Sequence, residues 1–305
     1  MRRYAIATCA LAAVTLAGGT ADATSPHARN GHDIAFSRNG QIYVADRDGR
    51  DARRLHAGDG EEFGPAYSPD GERIAFTRSH WAGDDTIYEL FVMDDDGRHV
   101  HRLGSGTEPR WRPDGRTIVF VRGRGGIYSM DARGRHVRRL TRDGSEPDYS
   151  PDGRLIVFHR NDPPHDGDPG IFVMRADGTH VRRLTRSPAV AYNPVDTFPG
   201  HLYFDWYPRF APDGKHIVFI RQRGWDAASY GDVFVMDPNG KHVRDLTPPD
   251  PYYHAFSKPA YSPDGRKILA DGLYVMHADG SHGHQLPARG LDPDWQPLPG
   301  PGLTR

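Results

Sequence analysis

The sequence predicts an all-β protein, a six-bladed β-propeller of four-stranded antiparallel blades closed by its C-terminal strand. Three observations carry this reading. First, 35 glycines and 26 prolines make up a fifth of the 305 residues, which excludes long helices because both residues punctuate turns and are poor inside elements. Second, Pro-Asp-Gly recurs behind an aromatic residue at Tyr67–Gly71, Trp111–Gly115, Tyr149–Gly153, Phe210–Gly214 and Tyr261–Gly265. Third, the segment Asp292-Pro293-Asp294-Trp295 near the C-terminus matches Glu108-Pro109-Arg110-Trp111 and supplies what the first repeat lacks.

The chain opens on Arg2 and Arg3, an apolar run from Tyr4 to Ala17, and Ala21-Asp22-Ala23, the pattern of a secretory signal peptide cleaved after residue 23. The run is shorter than the roughly 20 residues that span a bilayer, so the mature chain is expected to have no transmembrane segment and to be periplasmic or extracellular. Cys9, the single cysteine, lies within this leader. Disulfides, thiol catalysis and cysteine-ligated zinc are thereby excluded from the mature protein. Residues 24–32 form a short linker, 33–297 the propeller and 298–305 a tail. With 39 basic against 40 acidic residues and a formal charge of −1, the composition speaks against a nucleic-acid partner.

Each repeat reads as strands a to d. Pro-Asp-Gly supplies the a–b turn, with Pro setting φ, Asp bonding its own backbone and Gly taking the left-handed position. Strand b follows as Ile74-Ala75-Phe76, Ile118-Val119-Phe120, Ile156-Val157-Phe158, Ile217-Val218-Phe219 and Ile268-Leu269. Strand c begins at Leu90, Ile127, Ile171, Val233 and Leu273, a Gly turn follows, and strand d reads His-Val-Arg-Arg-Leu-Thr at His136–Thr141 and His180–Thr185. Four strands per 40–50 residues is the sequence form of a propeller blade. Residues 33–55 hold strands b, c and d of another blade without a strand a, and Asp292–Trp295 provides it, making six. Closure of this kind removes the gap at which the ring could open.

The string aromatic-Ser-Pro-Asp-Gly-x-x-Ile-x-Phe, followed by Ile/Leu-Phe/Tyr-Val-Met-Asp and Arg-Leu-Thr, resembles the WD40-like (PD40) propeller repeat of the TolB family across residues 33 to 297. The resemblance implies a six-bladed propeller, the part that the chain shares with TolB proteins. TolB proteins carry an α/β domain ahead of the propeller, whereas about ten residues separate the expected cleavage site from the first strand here. No Gly-x-Ser-x-Gly elbow of the propeller-fronted hydrolases is present.

Propeller topology puts the uniform a–b and c–d turns on one face and the long, irregular b–c and d–a loops on the other, where function is expected. Candidate binding residues there are Trp81, Tyr192, Trp206, Trp225 and Tyr230, with His165, His201, Asp205 and His254, because exposed aromatics beside polar groups make interface anchors. Arg78, Arg122, Arg160 and Arg221, with Arg38, end strand b on the same rim and could receive anionic groups; pairing with Asp84, Asp85, Asp162 or Asp232 is the alternative. Channel-side Arg110, Asp148, Arg209 and Asp294 are expected to pair across the channel. His99, His136, His180, His242 and His282 share one position after the c–d turn, which favours a structural role. No catalytic residue, metal ligand or cofactor is assigned. The expected function is a monomeric, non-catalytic scaffold for a protein or peptide partner. Its alternatives are a polysaccharide lyase or hydrolase using His165, His201, Asp205 and His254, and a metal-dependent small-molecule binder.

Overall fold

The computed structural model describes residues 33–55, 58–123, 125–160, 170–186, 203–223, 231–247 and 256–297. Six four-stranded antiparallel sheets form the ring. Blades 2 to 6 occupy residues 61–105, 107–139, 145–183, 203–245 and 260–285, and blade 1 joins residues 34–54 to Leu291–Trp295. Ile34 pairs with Trp295 and Ala35 with Asp294, so the two ends of the chain meet in one sheet as expected. A 3₁₀ turn at Asp271–Leu273 is the only helical element among the described residues.

The turns follow the repeat chemistry. Gly71, Gly115, Gly153, Gly214 and Gly265 of the a–b turns all have φ between 65° and 70°. In three blades the Ser before Pro adds a second lock: Ser68, Ser150 and Ser262 donate to Asp70, Asp152 and Asp264 and accept from Arg73, Leu155 and Lys267 N–H at 2.9 Å. His99, His136, His180, His242 and His282 all sit at positive φ. His99, His136 and His242 lie within 3.0 Å of Asp94, Asp131 and Asp237, which makes them turn residues.

Apolar burial follows the ring. Six clusters lie between successive blades, each mixing strand b and c residues of one blade with strand a, b and c residues of the next. Phe36, Phe76, Phe120, Phe158 and Phe219, the equivalent strand b residues of blades 1 to 5, are all fully buried, contributing roughly 1.5–3 kcal/mol apiece.

Three boundaries differ from the sequence expectation. Strands b and c of blade 2 do not stop at the loop edge: they run Arg73–Ala82 and Asp85–Asp94 as one long hairpin turning at Gly83. Strand a of blade 5 starts at Tyr203, so Asp205 and Trp206 are strand residues and no part of a loop. Strand d is reduced to two residues in every blade but the second.

Candidate functional site: the channel and its loop-side mouth

The six a strands contact one another around the ring, and each bends at an x-Pro-y-aromatic segment. The x residues Gly64, Glu108, Glu146, Tyr207, Lys258 and Asp292 all have φ between 46° and 61°. Proline cannot donate to the ladder, so the strand bulges there, and the pairing register slips in five of the six blades. Five of the six x residues are not glycine, which places local backbone strain at one level of the channel.

Two charged layers result. At the level of the y residues, Arg209 lies 3.9 Å from Asp148 and 3.7 Å from Asp294, bridging blades 4, 5 and 1 past the small Ala260. Arg110 is the second cation of this layer; burial and Arg209 weigh against its charge, and Asp294 and Asp148 support it. The expected cross-channel pairing is thus present for Arg209 with Asp148 and Asp294, whereas Arg110 donates to the Pro109 carbonyl at 2.8 Å and makes no ion pair among the described residues. Burial raises the pKa of both aspartates, partly offset by Arg209.

The layer nearer the loop face is acidic: Glu108, Glu146 and Asp292, with Asp271 beside them, against Lys258. Each carboxylate reaches the following blade. Glu146 N–H donates to Glu108 at 2.6 Å, Tyr207 N–H to Glu146 at 2.5 Å, Asp292 N–H to Asp271 at 2.6 Å and Gly64 N–H to Asp292 at 3.2 Å. Asp294 and Asp148 accept from Tyr67 and Phe210 N–H in the same way. These contacts satisfy the donors that the bulges free from the ladder. Burial and the neighbouring Glu108 push Glu146 well above the usual carboxylate range, and burial pushes Asp271 up to about 6. Lys258 bonds Asp292, and burial pulls its pKa down against the pull of Asp271 and Glu108.

The arginine rim is largely committed to the fold. Arg78 bonds Glu62 at 2.7 Å, Arg160 bonds Asp143 at 3.0 Å, and Arg221 grips the buried Asp205 with two bonds of 2.7 and 2.9 Å. The partners come from strand a or the segment before it, and not from the b–c loops named as the alternative. Arg38, Arg78, Arg122, Arg160 and Arg221 also lie over the strand c aromatics Tyr43, Phe91, Tyr128, Phe172 and Phe234. Among the described residues, Arg38 and Arg122 have no ion pair. Trp206 is no free anchor: its ring packs on His159 at 4.0 Å and on Phe204 at 6.2 Å, and its Nε1 is buried. His165, Tyr192, His201, Trp225, Tyr230 and His254 lie outside the described residues.

Trp81 stands out at the mouth, 78% exposed at the tip of the blade 2 hairpin. Ile87 and Tyr88 on the return strand are exposed too, and Phe63 meets Tyr88 edge-on at 6.1 Å. Phe63 leads into a cavity of about 540 Å³ that also holds Arg38, Glu61, Asp292 and Leu291, the last 58% exposed. Sequence reasoning finds Trp81 and Arg38 but misses Phe63, Ile87, Tyr88 and Leu291. Gly83-Asp84 between Trp81 and the Thr86-Ile87-Tyr88 run is the available hairpin signal. Among the described residues no group of three or more His, Cys, Asp or Glu side chains is placed to hold a metal ion.

Residues 100–203 match the family model described as the TolB beta propeller domain (PD40). Over these residues the chain resembles the TolB propeller. Its TolB-type repeats are 32% identical over 109 residues to the TolB homolog of Chlorobaculum tepidum and 35% identical over 91 residues to an uncharacterised peptidase, YuxL, of Bacillus subtilis. These matches span only 25% and 13% of those proteins' lengths. Among solved structures, TolB from Acinetobacter baumannii superposes with a TM-score of 0.66 at 24% identity over 88% of this chain and 67% of that one. The putative TolB from Agrobacterium tumefaciens gives 0.61 at 25% identity over 81% and 86%. The propeller is therefore the shared part.

Proposed function

We propose that this TolB-type propeller is an exported, non-catalytic scaffold that recognises a protein or peptide partner through its loop-rich face. The observation that carries the reading is the exposed pair Trp81 and Tyr88 on one face of the blade 2 hairpin, joined through Phe63 to the cavity that Phe63 shares with Arg38 and the exposed Leu291. Isolated surface apolar residues are ordinary, but a grouped set with aromatic anchors beside an arginine matches the composition of interface hot spots. The channel supports binding over chemistry, because its described carboxylates accept backbone N–H groups of the next blade and Arg209 pairs with Asp148 and Asp294. Export rests on the leader of residues 1–23.

The test is crosslinking in the cell envelope followed by purification, comparing wild type with a Trp81→Ala/Tyr88→Ala variant. One partner recovered with wild type and reduced at least tenfold with the variant is the expected outcome, each truncated anchor costing about 1–2 kcal/mol. Equal recovery with both proteins refutes the face assignment.

A further inference from the structure

The six repeats depart from their own pattern at positions that converge on one groove, on the face opposite the Trp81 ridge. The residue between the strand a aromatic and Pro is Ser68, Ser150, Ser262, Ala211 or Gln296 in five blades, but Arg112 in blade 3. The third residue of the strand c motif is Val44, Val92, Val173, Val235 or Val275, but Ser129 in blade 3. The residue after strand c's last apolar position is Asp46, Asp94, Asp131 or Asp237, but Arg175 in blade 4. Blade 6 also departs at that last position, with His277.

Arg112, Ser129 and Arg175 all line a single groove of about 760 Å³ between blades 3 and 4. Arg138 and Arg154 add two more guanidinium groups, against the two carboxylates Asp152 and Asp177, which leaves an excess of two positive charges. The equivalent groove between blades 5 and 6 measures about 220 Å³ and presents Ala211 and Val235 in place of Arg112 and Ser129, with Arg244 as its one arginine.

The lining is only partly self-satisfied. Arg138 donates to the Asp177 carbonyl at 3.0 Å, a strap that Arg182 repeats on Pro238 one blade further on, so this arginine serves the fold. Arg112 lies 3.6 Å from Asp114, and Arg154 lies 3.9 Å from Asp152. Both separations exceed hydrogen-bond length. Arg175 has no ion pair among the described residues. Arg112 also forgoes the serine lock of the a–b turn seen at Ser68, Ser150 and Ser262, a local loss of stability with no gain to the turn itself.

We propose that this groove is a binding site for a small polyanion, whose oxyanion groups are held by the guanidinium forks of Arg112 and Arg175 with Ser129 and Thr117 as neutral donors. Guanidinium groups recognise phosphate and carboxylate through paired N–H bonds, and the volume is that of an ordinary small-ligand pocket. Phosphate and carboxylate share this chemistry, and pyrophosphate and citrate serve as probes for the two sources.

The test is isothermal titration of the full chain with each probe at fixed ionic strength. Arg112→Ser and Arg175→Asp restore the repeat's own residues and are expected to fold. Each weakens binding about tenfold or more, the loss of one charge-assisted contact, while Arg244→Ser in the equivalent groove leaves it unchanged. A preference for pyrophosphate marks a phosphate ligand, and a preference for citrate marks a polycarboxylate. Wild type binding neither probe more tightly than 10 mM overturns the proposal, as does full affinity in either arginine variant or equal loss in Arg244→Ser.

Discussion

Tyr67 and Trp111 fill the same inter-blade position of strand a, and Phe210 shows that phenylalanine fits there. Their polar atoms fare differently. The Tyr67 hydroxyl is buried with no hydrogen-bond partner, and burial together with Asp294 disfavours its ionised form strongly. Trp111 Nε1 donates to the Ala66 carbonyl at 3.1 Å, and the Arg73 guanidinium lies 4.6 Å from its ring. An unpaired buried polar group costs about 1–3 kcal/mol, so Tyr67→Phe should stabilise the propeller by about 1 kcal/mol. Trp111→Phe loses a hydrogen bond, strands a carbonyl and opens space. These losses sum to roughly 2–4 kcal/mol. At about 2–4 °C per kcal/mol for a domain of this size, the two variants should separate by roughly 10 °C in thermal unfolding, on opposite sides of wild type. A Tyr67→Phe variant that loses as much stability as Trp111→Phe would refute this reasoning.

Three further outcomes follow from the channel and the rim. Because Glu146 is raised in the folded state, it holds its proton more tightly there than in the unfolded chain. Its stabilisation is full below about pH 4 and lost as pH rises through its folded value, so Glu146→Gln, which can still accept from Tyr207, should flatten the fall in urea midpoint above pH 5. Asp205→Asn should cost about 3 kcal/mol, since it leaves the largely buried Arg221 without its charge partner; a double variant with Arg221→Met should recover part of that loss in a double-mutant cycle. Trp81→Ala should change the midpoint by less than about 0.5 kcal/mol, and a larger loss would show the ridge to be structural.

Blade number and closure were legible because Pro-Asp-Gly writes the a–b turn in local chemistry and because Asp292–Trp295 matches Glu108–Trp111 residue by residue. The cross-channel pairs were legible for the same reason: alignment puts Arg110, Asp148, Arg209 and Asp294 at one level of the ring. The bulge was not, because Glu108, Glu146, Tyr207, Lys258 and Asp292 precede proline, where extended backbone is the local preference, and the acceptors for the freed N–H groups of Glu108, Glu146, Tyr207 and Asp292 are side chains of adjoining blades, Thr77, Glu108, Glu146 and Asp271. Trp81, Ile87 and Tyr88 have no counterparts in the other repeats, so alignment leaves them in a loop although the hairpin pairs them. Arg78 and Arg221 look available until Glu62 and Asp205, sixteen residues earlier in each case, are folded back beside them.

Ile34–Arg38 pairs at once with Gln41–Ala45 but finds its second partner strand only at Leu291–Trp295, with Ser37 bonding Leu291 and Asp292 across 254 and 255 residues of chain. During synthesis at about 5–20 residues per second, that strand therefore stands with an open edge for roughly 13–50 s. An unpaired edge invites pairing with another chain, so the nascent protein is most exposed to misassembly at its beginning, and a ribosome that stops between residues 285 and 291 releases five complete blades and a first blade without its strand a.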